Sequence, residues 1–477
     1  MVLALSELLA GLPPEVRVSA DDVVAARERA GDHTVYVVLD DDPTGTQSVA
    51  DLPVLTHWEP DDFRWAFSTG KPAVYVMTNT RSLAPADAER VNRECVAAAL
   101  EAATDRPVAF VSRSDSTLRG HFPLEPDVIA DELSQHDGRA VDGVVIVPAF
   151  GDAGRITVRG THYAGSPSSG YRPVGETQFA RDATFGYEAS RLADWVEEKT
   201  DGKVPASTVL ELDLTTLRTN RDATVALLRS AHDRQPVVVD IVTEADLRLL
   251  ALALIEAEQA GSTFVYRVGP PFVRARIGQA VRPPVTPDEV RASRGSRQVA
   301  TGGLVCVGSH VQLTTDQLDH LRSTRHPDEL ELEVTSVIDP ARRDAHVADI
   351  AARAARALDE GTCVVRTSRT LVTGTDGDAS LAIARAVSAA LVDVVRRILA
   401  ANPPRFVVAK GGITSSDIAT HGLGFRRADV IGPMLPGIVS LWSGQDGPAA
   451  GIPFVVFAGN VGEDRSLADV VDTLSQA

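Results

Sequence analysis

The stretch Val35-Tyr36-Val37-Val38-Leu39-Asp40-Asp41-Asp42-Pro43-Thr44-Gly45-Thr46-Gln47 decides how this chain reads. It opens as a short apolar run, the pattern of a strand buried on both faces of a parallel sheet. It then stops at adjacent carboxylates and a Thr-Gly turn. Ligands of open α/β sheets sit just beyond the carboxyl ends of such strands. Neighbouring carboxylates repel one another, so they are best tolerated where a metal ion, a polyol or backbone donors use them. The alternative is a solvated acidic turn that caps a helix.

The same design recurs along the chain. Apolar strand-like runs are expected at 34–39, 73–77, 108–112, 143–147, 237–242 and 263–268, with helical spacing at 85–103 and 244–260. Alternation of this kind marks βαβ units and a mostly parallel sheet. The Gly-, Ser- and Pro-rich segment 150–173 breaks the rhythm and reads as a long loop or hairpin excursion. Pro283, Pro284, Pro287, Gly295, Ser296 and Gly302 mark a linker. Beyond it, strands are expected at 304–307, 330–334, 362–366, 406–409 and 453–457, and helices at 315–325, 345–360 and 379–401. The reading is two α/β domains, each a mostly parallel sheet flanked by helices. Residues 1–33 form an N-terminal extension, 34–285 a first domain, 286–302 a linker and 303–477 a second domain.

Composition narrows the class. The chain has 477 residues, 44% hydrophobic and 23% charged, and a formal net charge of −18. Such a balance argues against general attraction to nucleic acid or to anionic membranes. Cys95, Cys306 and Cys363 are widely spaced, giving neither a disulfide framework nor a zinc motif. Met1 to Ala10 has no basic n-region, and no apolar run is long enough for a membrane span. A cytoplasmic soluble protein is expected, with a homodimer as the commonest assembly.

Three further strand ends carry chemistry. Ser112-Arg113-Ser114-Asp115-Ser116-Thr117-Leu118-Arg119-Gly120-His121 packs hydroxyls, two arginines and an aspartate into one turn. Arg grips carboxylates in bidentate fashion, and Asp and Ser bond hydroxyl groups, so the turn suits a small hydroxy acid. The bland reading is a helix N-cap at Asp115 or Ser116. A second cluster comprises Gly151-Asp152-Ala153-Gly154-Arg155, His162 and Phe179-Ala180-Arg181-Asp182. There Arg155 and Asp182 are substrate candidates and His162 reads as structural. In the second domain, Ala409-Lys410-Gly411-Gly412-Ile413-Thr414-Ser415 is a strand, a Gly-Gly turn and a helix start. Such a turn lets backbone N–H groups approach an anion. Gly308-Ser309-His310 and Gly459-Asn460-Val461-Gly462 end two other strands in the same manner. No Walker A motif and no G-x-G-x-x-G fingerprint occurs.

With these motifs in order, the chain resembles the four-carbon acid sugar kinase family. The resemblance rests on Asp41-Asp42-Pro43-Thr44-Gly45, Asp115-Ser116-Thr117-Leu118-Arg119-Gly120, Pro148-Ala149-Phe150 with Gly154-Arg155, Gly411-Gly412-Ile413-Thr414-Ser415, and Gly459-Asn460-Val461-Gly462. Pro43 and Thr46 stand where the family usually has Leu and Ala. The resemblance implies an N-terminal domain for a sugar acid, a C-terminal domain for ATP, and an active site in the interdomain cleft. It implies ATP and Mg2+ as cofactors and threonate, erythronate or 3-oxo-tetronate as substrate. Carried over, Ser309, Gly411, Gly412, Ile413, Thr414, Gly459 and Asn460 become ATP contacts. Asp41, Thr44, Arg113, Ser116, Arg119, Arg155 and Asp182 become substrate contacts, with Arg119 on the carboxylate. Asp42 is the first choice of catalytic base and Asp115 the second. Lys410 either reaches a phosphate or pairs with an acidic neighbour. Metal ligands are not identifiable. The competing readings are a nicotinamide-dependent hydroxy-acid dehydrogenase and a non-catalytic sugar-acid binding protein.

Overall fold

The computed structural model describes residues 2–295, 297–369, 372 and 377–477. Met1 of the N-terminal reading and Ser296 of the linker lie outside the described residues. The first strands are β1 (Val35–Asp40), β2 (Leu52–Leu55), β3 (Ala73–Met77), β4 (Val108–Arg113), β5 (Gly143–Val147) and β6 (Arg155–Val158). Next come β7 (Thr161–Ser166), β8 (Gly170–Pro173), β9 (Leu210–Leu212), β10 (Gln235–Val239), β11 (Phe264–Val268) and β12 (Leu304–Val307). The last are β13 (Asp328–Leu332), β14 (Cys363–Thr367), β15 (Val407–Lys410), β16 (Arg427–Leu435), β17 (Ile438–Gly444) and β18 (Pro453–Phe457). The chain forms two compact units, Met1–Leu52 with Trp58–Val281, and Pro53–His57 with Arg282–Ala477.

The first unit is built on a parallel sheet in the order β3-β1-β4-β11-β5-β10-β9. Every residue of β1, β3, β5 and β11 is buried, which is why these strands read as unbroken apolar runs. Helix Glu244–Gln259 starts at Thr243, whose hydroxyl and the Asp246 carboxylate satisfy each other's backbone N–H groups. Its Ala251, Leu252 and Ile255 pack against Val23 and Ala26 of helix Ala20–Ala30. Residues read as an N-terminal extension therefore contribute to the core of this unit. Burying each such aliphatic side chain stabilises by roughly 1.5–3 kcal/mol. The Gly-rich excursion is an antiparallel sheet, β6-β7-β8. Thr157 N donates to Ile241 O at 2.8 Å and fixes it to the unit.

The second unit holds the parallel run β13-β14-β12-β15-β18, continued by antiparallel β17 and β16. Residues of β2 lie beside β16, and Thr56 N donates to Arg426 O at 3.1 Å. Val305, Val307, Val408, Val455 and Phe457 meet Leu467, Val470 and Leu474 of helix Ser466–Ser475 in one core. Some expected bounds shift. β13 ends at Leu332, and Val334 starts the short helix Val334–Val337. Residues 432–437, read as a wall or a rigid turn, belong to the β16–β17 hairpin, with a register shift between Val430 and Gly432. Cys95, Cys306 and Cys363 are buried and free. Among the described residues no helix is long and apolar enough to cross a membrane.

Candidate active site

β3, β1 and β4 lie side by side and parallel, so their carboxyl ends open onto one another. Asp40 stands in register with Met77 on one side and Arg113 on the other. That register settles the fate of the aspartate triplet. The Arg113 guanidinium meets the Asp40 carboxylate and the Asp42 carbonyl, and lies 3.5 Å from Asp41. Its side chain is only 2% exposed. Arg113 therefore supports the aspartates from within the sheet layer and is not free for a substrate, contrary to the sequence expectation. The reason is positional: Arg113 is the last residue of β4, not part of the turn beyond it.

Arg81, which the sequence reading passed over, supplies the second cation. It follows β3 and grips Asp41 with two nitrogens, Nη2 at 2.6 Å and Nε at 3.1 Å, while Nη1 lies 3.5 Å from Asp42. Its own N–H donates to Asp41 O at 3.1 Å. The strand-end rule applied to β3 would have found it. Burial pushes the Asp41 carboxyl up, against the pull of Arg81. Asp42 differs from its neighbours. Its side chain is 24% exposed, and one oxygen accepts Thr44 N at 2.9 Å and the Thr44 hydroxyl. Beneath the triplet, Glu125 accepts from Thr80 Oγ1 at 2.5 Å and pairs with Arg267. Gly120, at φ +115°, passes so close that a Cβ would stand 2.8 Å from Arg267 Nη2 and 2.9 Å from Asp41 Oδ2.

The turn after β4 forms a second charged group. Asp115 accepts from Arg119 Nε at 2.7 Å and from the Thr117 hydroxyl. Burial would raise the Asp115 carboxyl, but Arg81 and Arg119 outweigh it and hold it well below the usual carboxylate range. Asp115 and Ser116 cap no helix: the next helix, Leu124–Asp137, begins after Pro123 without a side-chain cap. Arg119 Nη1 lies 3.7 Å from Asp182, which accepts Thr184 N at 2.9 Å and Phe185 N at 3.0 Å. The guanidiniums of Arg119 and Arg155 both lie over the Phe179 ring, at 5.4 and 5.6 Å from its centroid. Arg155 Nε is buried and has no hydrogen-bond partner among the described residues. His162 is structural, as read. Its ring joins Thr157 Oγ1 at 2.9 Å to Ser116 O at 2.8 Å, and burial pushes it down to about 4. Of the residues singled out in the sequence, the structure brings Asp41, Asp42, Thr44 and Arg113 into one cluster and Asp115, Ser116, Arg119, Arg155 and Asp182 into another. Arg81 links them electrostatically.

In the second unit, the ends of β12, β15 and β18 are adjacent because β15 pairs with both neighbours. Thr314 Oγ1 donates to Ser309 Oγ at 3.1 Å and to Gly459 O at 2.9 Å, tying the first turn to the third. Ser415 Oγ donates to Ala409 O at 2.9 Å and Gly411 O at 2.7 Å, closing the middle turn. Gly411, at φ +129°, passes Ser309 and Thr414 so closely that a Cβ would meet Thr414 Oγ1 at 3.1 Å. Asn460 is exposed, and Ile413 is 59% exposed. Lys410 is the last residue of β15. The amine is fully buried, donates to Ala458 O at 2.7 Å and sits 3.8 Å from the Phe457 ring centroid. Among the described residues it pairs with no carboxylate; the carbonyl it meets belongs to Ala458, which leads from β18 into the Gly459 turn, and burial pushes the amine down to about 7.

Two family models match the chain: a sugar-binding N-terminal domain over residues 36–276 and a nucleotide-binding C-terminal domain over residues 304–467. A D-erythronate kinase of Heliobacterium modesticaldum (strain ATCC 51547 / Ice1) is 28% identical over 292 residues, 60% of this chain. The match spans 58% of that relative's length. A solved Salmonella typhimurium LT2 structure shares 17% identity with a TM-score of 0.66, covering 92% of this chain and 98% of its own. Haemophilus influenzae protein HI1011 shares 17% identity with a TM-score of 0.60, covering 92% and 100%. At that identity the two structures establish a shared fold.

Proposed function

The chain belongs to the four-carbon acid sugar kinase family, and on that premise we propose that it transfers the γ-phosphate of ATP to a hydroxyl of a four-carbon sugar acid. Threonate, erythronate and 3-oxo-tetronate are the candidate acceptors. The observation that carries the reading is the inequality of the aspartate triplet. Asp40 and Asp41 are consumed by Arg113 and Arg81, while Asp42 keeps an exposed edge on a rigid cationic frame.

Asp42 is the proposed base. It accepts the proton of the attacking hydroxyl as that oxygen bonds to the γ-phosphorus. The bond from phosphorus to the β,γ-bridging oxygen then breaks, and ADP leaves. Asp115 suits this task less, since a carboxyl held below its usual range is a weak base. Arg119 is already committed to Asp115, whereas Arg155 donates to the Ala153 carbonyl and has no carboxylate at ion-pair distance among the described residues, so Arg155 is the better grip for the substrate carboxylate. Thr44, Ser116 and Asp182 are proposed to bond the sugar hydroxyls. Ser309, Gly411, Gly412, Thr414, Gly459 and Asn460 offer backbone and hydroxyl donors to the phosphates, and exposed Ile413 offers an apolar surface to the base. Mg2+ would be held chiefly by phosphate oxygens and water and would neutralise charge in transfer. Among the described residues no group of three or more His, Cys, Asp or Glu is placed to hold a metal by itself. A homodimer is proposed on the general frequency of twofold assemblies.

A thermal-shift screen tests the reading against its rivals. A kinase is stabilised both by Mg-ATP or ADP and by a tetronate. A sugar-acid sensor responds to the acid alone, and a dehydrogenase to NAD(H).

A further inference from the structure

We infer that Arg369 is the cation that the nucleotide-binding turns present to the triphosphate. The inference rests on the kinase reading above and adds a residue to it. Lys410, the basic residue adjacent to the Gly-Gly turn, has its amine buried against Ala458 O and the Phe457 ring. The turns at Ser309, Gly411 and Gly459 therefore need their fixed positive charge from elsewhere.

The topology supplies it. β14 pairs with β12 in parallel, so the end of β14 opens beside the Gly308-Ser309 turn. Arg369 stands two residues beyond that end. Its Nη1 donates to Ser309 O, and its Nη2 donates to Thr315 Oγ1 at 2.5 Å. Two hydrogen bonds thus anchor the guanidinium on the very turn that carries Ser309, leaving further N–H groups unassigned. Nε is buried with no partner among the described residues.

Charge accounting singles out the same residue. Arg366 pairs with Glu329 and Glu331, the latter at 2.9 Å. Arg322 pairs with Glu329 at 2.6 Å and with Asp319 at 2.5 Å. Arg369 lies near both of these arginines, which repel it more than the carboxylates of Asp319 and Glu329, already paired with them, attract it. Among the described residues it has no carboxylate at ion-pair distance. A partly buried guanidinium without a counter-ion is costly unless an anion completes it. A planar fork beside bare main-chain amides is suited to phosphate oxygens.

The test is calorimetric titration of the full-length protein with ATP and, separately, adenosine. Arg369→Ala is expected to weaken ATP about tenfold to a hundredfold and to leave adenosine unchanged, with Arg369→Lys recovering part of the loss. A purely structural arginine would weaken both ligands together, and that result overturns the inference, as does wild-type ATP affinity in Arg369→Ala. Should Arg369→Ala not fold, Thr315→Val frees one anchor while keeping the charge. It is expected to weaken ATP by a smaller factor, again sparing adenosine, and an unchanged ATP titration there overturns the inference. If the wild-type chain itself binds no ATP, the kinase reading falls first and this assignment with it.

Discussion

The carboxylate-rich turns of the first unit and the glycine-rich turns of the second both follow the ends of parallel strands, yet they handle charge in opposite ways. In the first, Asp40, Asp41 and Asp115 are locked by Arg113, Arg81 and Arg119. In the second, the basic side chain that ends β15 is withdrawn onto a carbonyl, and the turn surface consists of main chain and hydroxyls with the Arg369 guanidinium at its edge. The difference matches what each proposed ligand brings. A triphosphate brings its own charge and much of its own counter-ion, so it needs donors and space, with a single cationic fork beside them. A sugar hydroxyl is neutral and must lose a proton, so its site must supply a base and hold it still.

Breaking the charged side should cost most. Asp42→Asn is expected to lower kcat about 10²–10⁴-fold with both KM values little moved and the circular dichroism unchanged; steady-state kinetics with near-normal kcat would remove Asp42 as base. Next comes Arg155→Ala, expected to raise KM for the acid about tenfold to a hundredfold while KM for ATP holds. A rise confined to ATP would assign Arg155 to the wrong ligand.

The frame around the charged turns should show in stability as well. His162 has its folded value lowered by burial from 6.5 to about 4. Between those values the unfolded chain binds the extra proton, so stability falls as pH drops through that window, by about 3 kcal/mol in total. Denaturant titrations at pH 6.5 and pH 4 should reveal this loss, and His162→Asn should flatten it. The smallest effect belongs to the second unit. Lys410→Met replaces a buried amine with an apolar chain and should change ATP affinity by less than about twofold. A large loss of ATP binding would mean that the amine reaches phosphate after all and that the two regions are less different than described.

Much of this contrast was legible in the sequence, because it depends on strand ends. β1, β3, β12 and β18 declare themselves as apolar runs, and small or polar turns follow them directly. What was hidden depends on register and on contacts distant in sequence. Nothing local says that Asp40 sits opposite Arg113, which turned a supposed substrate arginine into a scaffold. Arg81 sat in a turn with no acidic run or glycine pair to draw notice, yet parallel pairing of β3 with β1 delivers it to Asp41. Lys410 was ambiguous because a strand's last side chain can point into either layer, and only packing against Phe457 decides it. The β16–β17 hairpin was obscured by Gly432, Pro433, Pro436 and Gly437, residues that signal turns more loudly than strands.

Phosphorus NMR of the purified protein with Mg-ATP and D-erythronate measures the central claim directly. A new phosphate-ester resonance, growing in step with ADP and absent without the acid, is the predicted result. ATP left intact with erythronate, threonate and the 3-oxo-tetronates alike, or ADP released at the same rate with no acid present, would contradict it.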